Sequence, residues 1–218
     1  MTKIRELLNR LEKASTKEYQ TVLGQISEEV LKDEFRDELE KSAFRDIVDL
    51  LVILPEQTFN EFIEKFSDTI VKKIGEGKPE DFGRLFEGLS KAKRKAFSRN
   101  FRSYVSKRLS LFSLREIIKM IYSVVPATRE TLLSQYKEIM MRPDFTKILL
   151  ETPIDVLAEF LSVMPESIRR SLINRHKNFF LSDEFISKLK NTDSDSRAML
   201  LRWLPTDLSS KIMEKLVG

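Results

Sequence analysis

Apolar residues return along this chain at helical spacing, in a pattern that repeats six times. Each copy reads apolar, three residues, apolar, then Pro or Ser, with another apolar residue seven positions further on. The punctuating residues are Ser15, Pro55, Ser90, Pro126, Pro165 and Pro205, spaced 40, 35, 36, 39 and 40 residues apart. With this position as zero, offset −4 holds Leu11, Leu51, Phe86, Tyr122, Leu161 and Leu201. Offset −1 holds Ala14, Leu54, Leu89, Val125, Met164 and Leu204, and offset +7 holds Val22, Phe62, Phe97, Leu133, Leu172 and Ile212. At −8 stand Leu7, Ile47, Phe82, Ile118 and Leu157, with Arg197 as the exception. A period of this size is the mark of stacked helical units.

Both halves of each copy have the helical period. Offsets −8, −4 and −1 share one face of a 3.6-residue helix, and so do +7, +11 and +15. In the second copy the latter are Phe62, Phe66 and Ile70; in the third, Phe97, Phe101 and Val105. Each unit therefore reads as a first helix, a break at zero and a second helix. Proline lacks an N–H and clashes with the carbonyl four residues back, so it ends one helix. Its fixed φ suits the first turn of the next. Ser15 and Ser90 are expected to cap that helix instead.

The longer units carry a further segment, at residues 31–39, 141–149 and 181–189. In each, Phe and Leu stand four apart: Phe35 and Leu39, Phe145 and Leu149, Phe185 and Leu189. A short third helix is predicted there. The two shorter units are expected to lack it, their connections being 75–79 and 106–113.

A helix pair cannot bury its apolar face alone, whereas stacked neighbours bury a continuous core. The expected fold is all-α: one right-handed α-α superhelix, a solenoid of about six two- or three-helix repeats. It forms a single domain over 1–218, with repeats near 1–40, 41–75, 76–110, 111–150, 151–191 and 192–218. Three-helix units near 40 residues alternating with two-helix units near 36 resemble armadillo and HEAT-type α-solenoids. The segments Asp49-Leu50-Leu51-Val52-Ile53-Leu54-Pro55-Glu56 and Phe160-Leu161-Ser162-Val163-Met164-Pro165-Glu166 resemble "LLxxLPxE" phrases in two bacterial groups. These are the armadillo-like domains of the flagellar motor switch protein and the cytosolic N-domain of a magnesium transporter. The resemblance implies an architecture and assigns no functional residue.

Composition narrows the chemistry. The chain has 218 residues, no cysteine and one histidine. A disulfide framework, a thiolate metal site and a cysteine nucleophile are excluded. Its longest purely apolar run, Leu50 to Leu54, is far short of a membrane span. The first residues alternate charge with apolar side chains and do not read as a signal peptide. The expectation is a cytoplasmic protein without membrane insertion or cofactor, and not an enzyme.

Several groups carry a functional reading beside a plainer one. Gly75-Glu76-Gly77-Lys78 lacks P-loop spacing and reads as an inter-helix loop. His176 falls at +11, a core-facing position, and has no companion nucleophile. Trp203 is a candidate interface anchor, set against partial burial between helices. Seven acids within residues 28–40, and Asp193 with Asp195, lack EF-hand spacing and read as solvated faces.

The net charge of +4 is modest, from 38 basic and 34 acidic residues. Its distribution is uneven. Residues 91–108 hold eight basic residues and no acid: Lys91, Lys93, Arg94, Lys95, Arg99, Arg102, Lys107 and Arg108. Phe97, Phe101 and Val105 assign the inward face. Lys91, Lys95, Arg99 and Arg102 then form one cationic stripe at spacings of 4, 4 and 3. The equivalent positions of the second copy, Glu56, Asn60, Glu64 and Ser67, do not continue it. The expected function is a protein–protein interaction scaffold. Its partner on this stripe would be an acidic protein segment or a second copy of the chain. The alternative is nucleic-acid binding through the same helix by phosphate contacts.

Overall fold

The computed structural model describes residues 2–217. It is all-helical, with seventeen helices and no strand among the described residues. The first copy comprises α1 (Lys3–Lys13), α2 (Tyr19–Val30) and α3 (Phe35–Lys41). The second has α4 (Phe44–Ile53), α5 (Glu56–Lys65) and α6 (Ser67–Glu76), and the third α7 (Pro79–Gly88) and α8 (Lys91–Leu109). The fourth contains α9 (Leu114–Tyr122), α10 (Pro126–Met140) and α11 (Phe145–Glu151). The fifth contains α12 (Ile154–Val163), α13 (Glu166–Arg175), α14 (Lys177–Phe180) and α15 (Asp183–Lys190). The last is α16 (Ser194–Trp203) and α17 (Thr206–Val217).

A helix ends two to four residues before every punctuating position, and the three segments with Phe and Leu four apart are helices α3, α11 and α15. Pro55 and Pro165 sit in extended backbone as the caps of α5 and α13 (φ −55° and −54°), supplying the fixed φ that a helix start uses. Ser90 accepts a hydrogen bond from Lys93 N at 3.3 Å, as a cap does. Ser15 departs from the expectation. Its hydroxyl donates to Glu18 Oε2 at 2.5 Å, and α2 begins only at Tyr19.

The fourth copy is displaced by one residue. Pro126 is the first residue of α10, and Val125 takes the cap position. Tyr122 and Val125, expected in the core at −4 and −1, are instead 52% and 50% exposed, while Ile121 and Val124 are buried. Counted from Val125, the five steps become 40, 35, 35, 40 and 40. Two unit lengths then remain, and Tyr136 joins Phe66, Phe101 and His176 at +11.

The short units also differ from expectation. In the second copy the chain breaks at Phe66 (φ −112°, ψ 24°), so α6 is a separate helix. The fifth copy breaks at the same offset, His176 (φ −108°, ψ 22°). In the third copy α8 runs unbroken for 19 residues to Leu109, through part of the expected connection.

The chain divides into two compact units, Met1–Arg108 and Leu109–Gly218. Within the first, α1 packs on α4 and α4 on α7, while α3 packs on α6. Within the second, α9 packs on α12 and α12 on α16, while α10 packs on α13 and α15 on α17. First helices thus meet first helices of the next copy. The cores are rich in phenylalanine: Phe62 and Phe66 stack at 5.1 Å, Phe97 and Phe101 at 4.8 Å, Phe179 and Phe185 at 4.9 Å.

A second regularity joins successive copies. A helix leaves its last carbonyls without intrahelical partners, and cations there are favourable. Lys65 Nζ donates to Leu31 O, Arg175 Nε to Met141 O at 3.0 Å, and Lys215 Nζ to Leu181 O at 2.8 Å. The donor is 34 residues after the acceptor in all three. Each donor stands at +10, and each acceptor ends the helix before a Phe-x-x-x-Leu helix of the preceding copy.

Candidate functional site

The basic helix α8 is positioned by its apolar edge. Phe97, Phe101 and Val105 are at most 1% exposed and fix its rotation. Lys91, Lys95, Arg99 and Arg102 are then all exposed, on one side of the helix. Among the described residues, Lys91, Lys95 and Arg99 form no ion pair or hydrogen bond through their side chains. Like charges four apart on a helix cost a few tenths of a kcal/mol per pair. The stripe is therefore maintained against a small local penalty.

Not every cation of the run belongs to it. Lys93 is buried, and its amine donates to Leu51 O at 3.1 Å and Val52 O at 2.8 Å, the last turn of α4. It also lies 5.4 Å from the Phe59 ring centroid. Burial lowers the Lys93 pKa from its ordinary value, partly opposed by the Glu56 carboxylate. Arg108 Nε donates to Gly77 O at 2.9 Å. Lys93 and Arg108 hold the fold, while Lys91, Lys95 and Arg99 face outward.

Beside α8, in the same unit, lies α5. The Lys93–Phe59 contact brings their first turns together. The exposed side of α5 carries Glu56, Asn60, Glu61 and Glu64. Glu56 and Glu64 occupy the register positions of Lys91 and Arg99. The surface of this unit thus bears an acidic stripe and a basic stripe on neighbouring helices.

The other candidates are accounted for locally. His176 is 4% exposed, its Nε2 2.6 Å from Met140 O and its ring 6.0 Å from Phe145. Trp203 is half-buried, with the guanidinium of Arg169 at 4.8 Å and that of Arg202 at 6.0 Å from its ring centroid. The expected 75–79 connection shrinks to Gly77 and Lys78, since Gly75 and Glu76 lie in α6 and Pro79 in α7; Gly77 backs onto Phe44, and Asp81 Oδ2 accepts from Lys78 N at 2.9 Å. Desolvation raises the Asp81 pKa. Asp193 caps α16 through Ser196 N at 2.8 Å, and Asp33 pairs with Lys65 at 2.7 Å. No group of three or more His, Asp or Glu that could hold a metal ion occurs among the described residues. A pocket in the second unit, between residues 110–115 and 148–156, brings Arg115 and Glu151 to a lining of hydroxyls and apolar side chains.

The sequence pattern named the stripe but missed the inward turn of Lys93. The signal was present, since Lys93 lies four residues before Phe97 on the buried edge. No helix among the described residues is long and apolar enough to cross a membrane. Comparison with protein-family models, with curated proteins and with solved structures found no match.

Proposed function

We propose that this chain is a non-enzymatic interaction scaffold: a right-handed armadillo/HEAT-like solenoid of six units that binds another protein on the α8 face. The packing of first helix on first helix from copy to copy supports the solenoid, since stacked units bury the apolar face that each pair leaves open. The observation that carries the binding reading is the stripe itself. Lys91, Lys95 and Arg99 are exposed and aligned on a helix whose other side is fixed in the core. Rigid, aligned cations attract an acidic surface and fix its register.

Nucleic acid stands second, favoured by a run of eight bases without an acid. Against it, Lys93 and Arg108 are spent on backbone carbonyls, and the α5 acids border the stripe. A phosphate-tracking surface draws its affinity from several cations in succession.

The test uses two probes on the intact chain, a fluorescent Glu-rich peptide and a mixed-sequence DNA duplex, each titrated over a salt series. The reading expects peptide binding that weakens with salt and falls about tenfold or more in Lys95→Glu/Arg99→Glu. Peptide binding that is absent at low salt, or indifferent to the double substitution, overturns it. Tighter binding of the duplex, lost in the same variant, establishes the second reading instead.

A further inference from the structure

Resting on the reading of α8 as a protein-binding face, we propose that its partner is a second copy of this chain, docked two-fold so that α8 of each copy lies against α5 of the other. The argument begins with register. Lys91, Lys95 and Arg99 stand at +1, +5 and +9 of the third copy, and Glu56 and Glu64 at +1 and +9 of the second, with Glu61 between. Eight residues of helix span about 12 Å. The two charged rows are therefore equal in length and opposite in sign.

Neither row is paired off within the chain, although the Glu56 carboxylate favours the charged form of the buried Lys93 amine. Among the described residues no ion pair engages any of these six side chains, and Glu61 has only a hydrogen bond from Gln57 at 3.0 Å. Both rows belong to one compact unit, and the side chains of both are exposed to solvent.

A uniform polyanion complements only the α8 half of this surface, because the α5 acids repel it where it leaves α8. The complement must carry both signs in the same order and spacing. This chain carries that surface. A two-fold axis sets α8 on α5 and, by symmetry, α5 on α8, so every contact is made twice. Exposed ion pairs are individually weak and screened by salt. The dimer is accordingly weak and strongly salt-dependent.

The oligomeric state is measured by sedimentation over a concentration series at low and high salt. The wild type is expected to dimerise at about 50 mM salt, with its dissociation constant rising about tenfold or more by about 0.5 M. Lys95→Glu/Arg99→Glu and Glu61→Lys/Glu64→Lys are each expected to be monomeric, since each makes both faces of its own chain alike. An equimolar mixture of the two is expected to recover the dimer, as is the chain that carries all four changes. All substituted residues are exposed, and unchanged circular dichroism melts verify that each variant is folded.

A wild type that stays monomeric at low salt overturns the proposal, as does a dimer indifferent to both pairs of substitutions or a mixture that fails to associate. The Glu-rich peptide separates the two levels of failure. A monomeric chain that binds the peptide through Lys95 and Arg99 overturns self-association and leaves the protein-binding face standing; a monomeric chain that does not bind it overturns both.

Discussion

Phe66, Phe101, Tyr136 and His176 hold the same place in four copies, and the three residue types differ in their polar consequence. All four are at most 4% exposed. Phenylalanine fills the place without a polar demand. His176 meets its demand at Met140 O. The Tyr136 hydroxyl is buried without a hydrogen-bond partner, and burial pushes its pKa well above the ordinary phenol value. An unsatisfied buried hydroxyl costs free energy that its removal returns. Tyr136→Phe is therefore expected to stabilise the chain by about 1 kcal/mol, read as a higher urea midpoint at constant slope. A loss of stability would mean that the hydroxyl has a partner in solution. This place was only partly legible in the sequence. The +11 offset was, for Phe66, Phe101 and His176. Tyr136 was hidden because a proline can serve equally as a cap or as a first helical residue, and Pro126 serves as the latter.

At the scale of the element, the second helix breaks after +10 in two of the three copies that carry a cation there, while α17 runs on past Lys215 to Val217. Where +10 is Lys65 or Arg175, the helix ends at that residue and the side chain reaches the preceding copy. Where +10 is Asn100, α8 continues unbroken for 19 residues, which carries the whole basic stripe on one helix. The end of α7 shows a spatial constraint of another kind. A Cβ on Gly88 would lie 2.4 Å from Val52 Cγ2, so this glycine makes room between α7 and α4. Gly88→Ala gains helix propensity of up to about 1 kcal/mol but forces overpacking that costs about 1–3 kcal/mol. A net loss of about 1–2 kcal/mol is expected. Adding Val52→Ala should make the pair less damaging than the sum of the singles, a coupling that a double-mutant cycle measures. Strict additivity would show that the two side chains do not compete for the space.

For the whole molecule, each 40-residue step is followed by a stitch from one copy to the one before. The three stitches, from Lys65, Arg175 and Lys215, belong to different pairs of copies and share no acceptor. Their donors are partly exposed, so solvent limits each to about 0.5 kcal/mol. Replacing all three with Gln is expected to lower stability by roughly the sum, about 1.5 kcal/mol. Urea unfolding of the singles and the triple checks this; an effect confined to one variant would show that the stitch is not a shared device.

The breaks at the Pro and Ser positions and the three Phe-x-x-x-Leu helices were readable in the chain because their causes act over a few residues, whereas the breaks at Phe66 and His176 were not. The missing N–H of proline, the hydroxyl of Ser90 and the 3.6-residue period of the core positions need no distant partner. Tertiary packing decided the rest. Lys93 and Lys95 are two residues apart in one basic run, yet one caps the carbonyls of α4 and the other faces solvent. Their difference lies in which copy of the repeat comes within reach, and a carbonyl left unpaired at a helix end some 40 residues away is visible only when the chain has brought it there.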